Sequence, residues 1–189
     1  MNVALRRRPM TIEGFLDWER RQELRFEFDG FQAVAMTGGT VEHSSIQAHL
    51  IRALGNRLEG KPCRPHGSHM KIEVAGRIRY PDAFVICSPH VPGQTVVRDP
   101  VVVFEIASGS TSYTDRFPKR NDYAATPSIR RYILLEQTGP AATVFERPDW
   151  VGRPIEGTDA GLAMPEIGVE LPLAELYQGL DFAAVIDEP

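Results

Sequence analysis

Residues 101–107 read Val-Val-Val-Phe-Glu-Ile-Ala. A strand that is apolar on both alternating faces is a strand covered on both faces. Glu105 sits inside that run, so folding takes its carboxylate out of water. An unpaired buried charge costs several kcal/mol or more, by order of magnitude. The chain must therefore form a layered fold with a sheet in its interior. It must also bring a cation, from a side chain or a metal, to Glu105.

The remaining pattern reads as an α/β (α+β) domain. With 189 residues, 42% of them hydrophobic, the chain suffices for one domain with a real core and is short for two. Thr11 can cap a helix through Arg21, with Ile12, Phe15 and Leu16 on one face. Leu24, Phe26 and Phe28 alternate with Arg25 and Glu27, and Asp29-Gly30 turns the chain into a return strand over 31–36. A long helix is expected over 40–59, with Ile46, Leu50, Leu54 and Leu58 inward and Gly60 as its stop. Strands are expected over 70–74 and 79–86 around a turn at Gly76, then over 100–107. A helix over 115–125 follows, with Pro118 tolerable only near its first turn. Strands over 129–135 and 142–146 come next, and beyond Trp150 only a short helix near 173–177 stands out. Residues 1–10 are expected to be a flexible terminus, 11–180 a single domain and 181–189 a tail.

Several function classes are excluded. The longest unbroken apolar runs, 83–87 and 182–186, are five residues each, against about 20 for a membrane-spanning helix. The first ten residues have no apolar stretch after their arginines, so no secretory leader is expected. Two cysteines, Cys63 and Cys87, are too few for a disulfide framework, and a reducing, cytoplasmic location is expected. A net charge of −4 argues against wholesale coating of nucleic acid but permits a local basic groove. Cys63, His66 and His69 lack a fourth ligand and a zinc-knuckle spacing. No nucleophile elbow, phosphate-binding Walker loop or dinucleotide fingerprint is present.

Three residues carry the chemistry. Asp82 follows Pro81 at the entry to an apolar strand, Glu105 lies 23 residues later, and Lys119 comes 14 residues further on, in the next helix. Two strands joined by a loop of about a dozen residues can pair side by side, which sets the two carboxylates together. Such a pair can hold Mg²⁺ with several waters left on it, and a nearby lysine can orient or deprotonate an attacking water.

This constellation resembles the PD-(D/E)xK nuclease superfamily, and more closely the Uma-two family, whose fold is restriction-endonuclease-like. The resemblance rests on RFEFDG (25–30), EHS (42–44), RYPDAFVI (79–86), VVVFEIASGSTSYTDRFPKRNDYAA (101–125) and SIRRYILLE (128–136), and spans roughly residues 11–177. It implies a mixed β-sheet flanked by helices, with an N-terminal helix and a β-hairpin. It also implies a metal-dependent endonuclease acting on phosphodiesters in nucleic acid, with DNA as the expected partner. Asp82 and Glu105 would bind Mg²⁺ or Mn²⁺, and Lys119 would handle the water. Glu27 and His43 would border the metal pocket. In the wider superfamily the lysine stands two residues after the acid, where this chain has Ala107; here it falls on the helix. Pro118 before it and the Ala-Thr-Pro loop at 125–127 depart from the family pattern.

Arg116 and Arg120 flank Lys119 and are candidate phosphate contacts. The other arginine pairs, including Arg130 and Arg131, read as solvated faces. Homodimers are common in the fold this resemblance implies, which leaves a homodimer open. Plain readings stand beside these: a strand-entry residue for Asp82, a structural ion pair for Glu105 and a solvated lysine paired with Asp115 for Lys119. Glu27 would be a cross-strand partner and His43 a core histidine. A non-catalytic nucleic-acid-binding or assembly module, or a hydrolase of small phosphoesters, remains open.

Overall fold

The computed structural model describes residues 10–36, 38–107 and 113–182; the side chains of 113–117 are outside that description. Most of the expected flexible start and of the expected tail also lie outside it.

Helix α1 (Ile12–Glu19) begins at Thr11, whose hydroxyl accepts the Gly14 N–H at 3.1 Å. Strands β1 (Phe26–Phe28) and β2 (Ala33–Ala35) form the expected hairpin, with Glu27 opposite Val34. The Asp29 carboxylate accepts the N–H groups of Phe31 and Gln32 and closes the turn. Helix α2 (Val41–Leu58) is capped by Thr40 and buries Ile46, Leu50, Leu54 and Leu58. Strand β3 (Arg64–Gly67) forms where no element was expected. Strands β4 (Lys71–Val74) and β5 (Arg77–Arg79) are joined through Ala75 and Gly76, both at positive φ.

The expected strand over 79–86 is two strands in two sheets. β5 ends at Arg79, and β6 (Ala83–Ile86) starts after Tyr80-Pro81-Asp82. Pro81 has no N–H to donate, so the first ladder cannot continue through it. β7 (Val96–Val97) completes a five-stranded sheet of order β2-β1-β5-β4-β7.

Strand β8 (Val102–Ala107) is buried along its whole length. It is followed by α3 (Tyr113–Ala125), then β9 (Arg131–Glu136), β10 (Ala141–Glu146) and β11 (Arg153–Glu156). The second sheet has the order β11-β10-β9-β8-β6-β3. β8 and β9 are parallel neighbours, so their connection must cross one face of the sheet, and α3 is that crossover. Side chains of β8 alternate as its sequence demands. Val102, Phe104 and Ile106 pack with α2, while Val103 and Ala107 pack with Tyr123 of α3. Glu105 shares the α3 face. The helix continues through Pro118, its sixth residue, rather than starting close before it.

After Trp150 the chain adds β12 (Gly161–Met164), a 3₁₀ turn (Pro165–Ile167), β13 (Val169–Pro172) and the one-turn α4 (Leu173–Leu176). These close the α2 side of the core. Arg131 is not on a solvated face: it is 6% exposed and ion-paired with Glu146 and Glu166. No helix among the described residues is long and apolar enough to cross a membrane.

The reading of the cysteines needs a correction, because Cys63 and Cys87 are joined by a disulfide. Arg64 faces Ile86 across β3 and β6. The cysteines are the next facing pair, although 24 residues separate them in sequence. One cross-strand bond needs only two cysteines in register. Alkylation of the unreduced, denatured protein should therefore find no free thiol, and reduction should expose two. Reduction should also lower stability by about 3 kcal/mol in urea titrations, from the loop-entropy relation. Two free thiols before reduction would contradict this pairing.

Candidate active site

The junction of the two sheets collects charge from four directions. The five-stranded sheet supplies Glu27 (β1) and Arg79 (β5). The six-stranded sheet supplies Asp82, at the entry to β6, and Glu105 (β8). Helix α3 supplies Lys119, and α2 supplies His43. The five side chains named from the sequence converge here.

Ala83 pairs with Phe104 in the antiparallel β6–β8 ladder. Continuing that register by one step sets Asp82 opposite Glu105, on the same face of the sheet. Facing residues of an antiparallel pair have Cβ atoms about 5 Å apart. Asp82 is fixed from both sides. Its Oδ2 accepts the Ile106 N–H at 2.7 Å and lies 3.2 Å from His43 Nε2. Gln47, one turn after His43 on α2, donates its Nε2 to the Asp82 carbonyl at 2.8 Å. Gly39 sits against His43: a Cβ there would lie 3.1 Å from Nδ1, so a larger residue would press on the ring. The hydrogen bond that His43 donates to the Asp82 carboxylate raises the His43 pKa above its ordinary value, against the effect of burial.

Glu105 is 9% exposed. Both of its oxygens accept from Lys119 Nζ, at 3.1 and 3.2 Å, and Oε1 also accepts the Tyr123 hydroxyl at 2.6 Å. Burial pushes the Glu105 carboxyl up, the ammonium pulls it back, and the negative charges of Asp82 and Glu27 add to the rise, leaving it at about 7. Lys119 also lies 3.2 Å from Glu27 Oε1. Burial alone would lower its pKa, but Glu105 and Glu27 outweigh that and hold it above the usual lysine range. Glu27 Oε2 accepts Arg79 Nη1 at 3.0 Å, and Oε1 accepts the Tyr80 N–H at 3.1 Å. Burial is opposed there by Lys119, Arg79 and that N–H, and the Glu27 pKa falls below its ordinary value.

Of the two candidate phosphate contacts, only Arg120 has a described side chain. Arg120 packs its guanidinium 5.4 Å from the Phe145 ring, and its buried Nε has no hydrogen-bond partner among the described residues. The Arg116 side chain lies outside the described residues. The sequence reading missed Arg79, Asp122 and Gln47. Arg79 could have been found from its place before Tyr-Pro-Asp, and Asp122 from its spacing of three after Lys119, which puts both on one helix face.

Asp82 and Glu105 fit an oxygen-seeking divalent ion. They are adjacent carboxylates whose mutual repulsion already raises Glu105. Among the described residues no group of three or more acidic, His or Cys side chains forms a metal cage. One or two carboxylates with the remaining positions left to water is the pattern of Mg²⁺ sites. By the same donor set the pair would accept Mn²⁺.

The raised Glu105 pKa fixes a sign. The folded state holds this proton more tightly than the unfolded chain, whose value is near 4.5. The stabilisation from this proton is full below pH 4.5 and fades as pH rises through about 7. Glu105→Gln removes the ionisation, so its stability relative to wild type should rise between pH 5 and pH 8 in metal-free urea titrations. A difference that stays flat across that range would show that Glu105 titrates normally.

Comparison with known proteins agrees with this architecture. Residues 12–174 match the family described as "Uma2: Putative restriction endonuclease". A Synechocystis protein, "Uncharacterized protein slr1290", is 31% identical over 179 residues, covering 92% of this chain and 94% of its own length. A crystal structure described as a putative nuclease belonging to DUF820, from Anabaena variabilis, superposes with a TM-score of 0.76 at 17% identity, covering 89% of this chain and 98% of that one. That likeness is one of fold, a mixed α+β arrangement of the restriction-endonuclease-like kind. The chain belongs to the Uma2 family.

Proposed function

We propose that this protein is a metal-dependent endonuclease that hydrolyses phosphodiester bonds, with DNA as its substrate. The observation that carries the reading is the register of β6 and β8, which faces Asp82 with Glu105 while Lys119 reaches both Glu105 oxygens. Mg²⁺ or Mn²⁺ held by Asp82 and Glu105 would supply positive charge at the reacting phosphate and make water there more acidic. The chain's own residues supply the rest. Lys119 donates hydrogen bonds at the edge of the carboxylate pair, where it can orient an attacking water and offset charge on a phosphate oxygen. Tyr123 and the Ile106 N–H hold the two carboxylates in one rotamer each. His43, with its raised pKa, lies against Asp82 and can carry a proton toward a leaving oxygen.

The test is nicking of supercoiled plasmid by the purified protein with Mn²⁺ or Mg²⁺. Asp82→Asn, Glu105→Gln and Lys119→Met should each lower the rate by about 10²-fold or more. Equal cleavage by wild type and Asp82→Asn would sink the reading.

One observation favours a non-catalytic nucleic-acid-binding module of the same fold: the Lys119 ammonium already neutralises Glu105 from both oxygens. Isothermal calorimetry separates the two. The enzyme should bind Mn²⁺ with a signal abolished by Asp82→Asn, and the module should show no heat at millimolar metal.

A further inference from the structure

A lysine on the strand beside the acid would be held by the sheet ladder. Here the lysine is on α3, so its position depends on how that helix is docked. Pro118, directly before Lys119, has no N–H for the helix ladder, which weakens the turn that carries the ammonium. The anchor lies one turn further on. Asp122, 1% exposed, accepts Arg79 Nε at 3.1 Å and Arg79 Nη2 at 2.7 Å on its Oδ2. Its Oδ1 is ion-paired with Arg77. Both arginines are on β5. Arg77 is itself tied down, donating Nε to the Asp29 carbonyl at 2.6 Å. Arg79 also holds Glu27, the second carboxylate of Lys119. One guanidinium thus spans the helix that carries the lysine and the carboxylate that receives it.

We propose that Arg79 and Asp122 are positioning residues: their buried ion pair docks α3 on the five-stranded sheet and holds the Lys119 ammonium between Glu27 and Glu105. The consequence for rate rests on the hydrolytic reading above; the consequence for Lys119 itself does not. Asp122 and Tyr123 follow Lys119 by three and four residues, so all three share one helix face. Asp122 grips one sheet while Tyr123 reaches Glu105 on the other. Rotation or lift of α3 by an ångström would break the contacts of Lys119 before those of the apolar core. Lysine is too short a donor to bridge Glu27 and Asp122 as Arg79 does, since the planar guanidinium serves both at once.

The chain contains three lysines, Lys61, Lys71 and Lys119, which allows a test independent of cleavage. Each can be followed by mass spectrometry during labelling with an amine-acetylating reagent. Lys61 is exposed and serves as reference. Lys71, on β4, is partly buried in an ion pair with Glu19 and reports whether the fold is intact. Wild-type Lys119 should label more slowly than Lys61. In Asp122→Asn and Arg79→Met, Lys119 labelling should rise toward that of Lys61 while Lys71 stays slow. In the same variants plasmid-cleavage kcat should fall about 10²-fold with KM changed less than about threefold. Asp122→Glu should recover part of the loss. Lys119 labelling unchanged in both variants overturns the proposal. So does joint release of Lys71 and Lys119 in the near-isosteric Asp122→Asn, which would make the pair a support of the whole fold. Wild type that labels as expected but cleaves no phosphodiester leaves the docking role standing and removes the hydrolytic reading instead.

Discussion

The pairing of Glu105 with Lys119 is the contact on which the arrangement turns. β8 lies in the middle of the six-stranded sheet and is covered on both faces. A carboxylate there loses its hydration, and only fixed donors replace it. Lys119 and the Tyr123 hydroxyl do so, both from α3. Their presence follows from topology: β8 and β9 are parallel, so the chain between them must cross the face that Glu105 points into. The sheet order and the chemistry of the site are therefore one constraint. Losing either donor would leave a buried acceptor short of partners, at a cost of about 1–3 kcal/mol or more for a charged group.

A second constraint is the break at Tyr80-Pro81-Asp82. Pro81 ends one ladder and lets the next begin in the other sheet. The three residues on either side of it serve different sheets. Arg79 belongs to the five-stranded sheet and reaches Glu27 and Asp122. The Tyr80 N–H holds Glu27, and the Tyr80 hydroxyl binds Glu19 of α1 at 2.5 Å. Asp82 opens the six-stranded sheet and faces Glu105. A short run of sequence thereby fixes the angle between two sheets and the relative position of three of the carboxylates.

What the sequence revealed divides along physical lines. Glu105 and Asp82 were legible because a carboxylate in or at the entry to an apolar strand conflicts with its surroundings. α2 and the β1–β2 hairpin were legible because capping, helical spacing and an Asp-Gly turn act locally. Lys119 was legible from the family pattern, since nothing in its own neighbours says where its helix docks. The strand switch at Pro81 was hidden, because residues 79–86 look continuous in hydropathy and only sheet membership separates them. β3 was hidden because Arg-Pro-His-Gly has little strand character; pairing with β6 overrides that propensity. β11 to β13 are short, and β11 is largely exposed. The Cys63–Cys87 bond and the burial of Arg131 depend on cross-strand partners far away in sequence, to which composition is blind.

The charge count at the junction gives the arrangement a direction. Among the described side chains, Glu27, Asp82, Glu105 and Asp122 are four acids; Arg77, Arg79 and Lys119 are three fixed cations, and His43 adds charge only when protonated. The cations are not spread evenly. Both arginines are spent on Asp122 and Glu27, and Lys119 is shared between Glu27 and Glu105. The shortfall of positive charge thus falls at Asp82 and Glu105, the pair facing each other across β6 and β8. An arginine placed beside Asp82 instead would have moved the shortfall to Asp122 or Glu27. A buried ionic cluster contributes little net stability over a well-packed apolar one. On the proposed reading, the excess of negative charge at Asp82 and Glu105 is a reason to keep such a cluster, because that pair would hold the divalent cation.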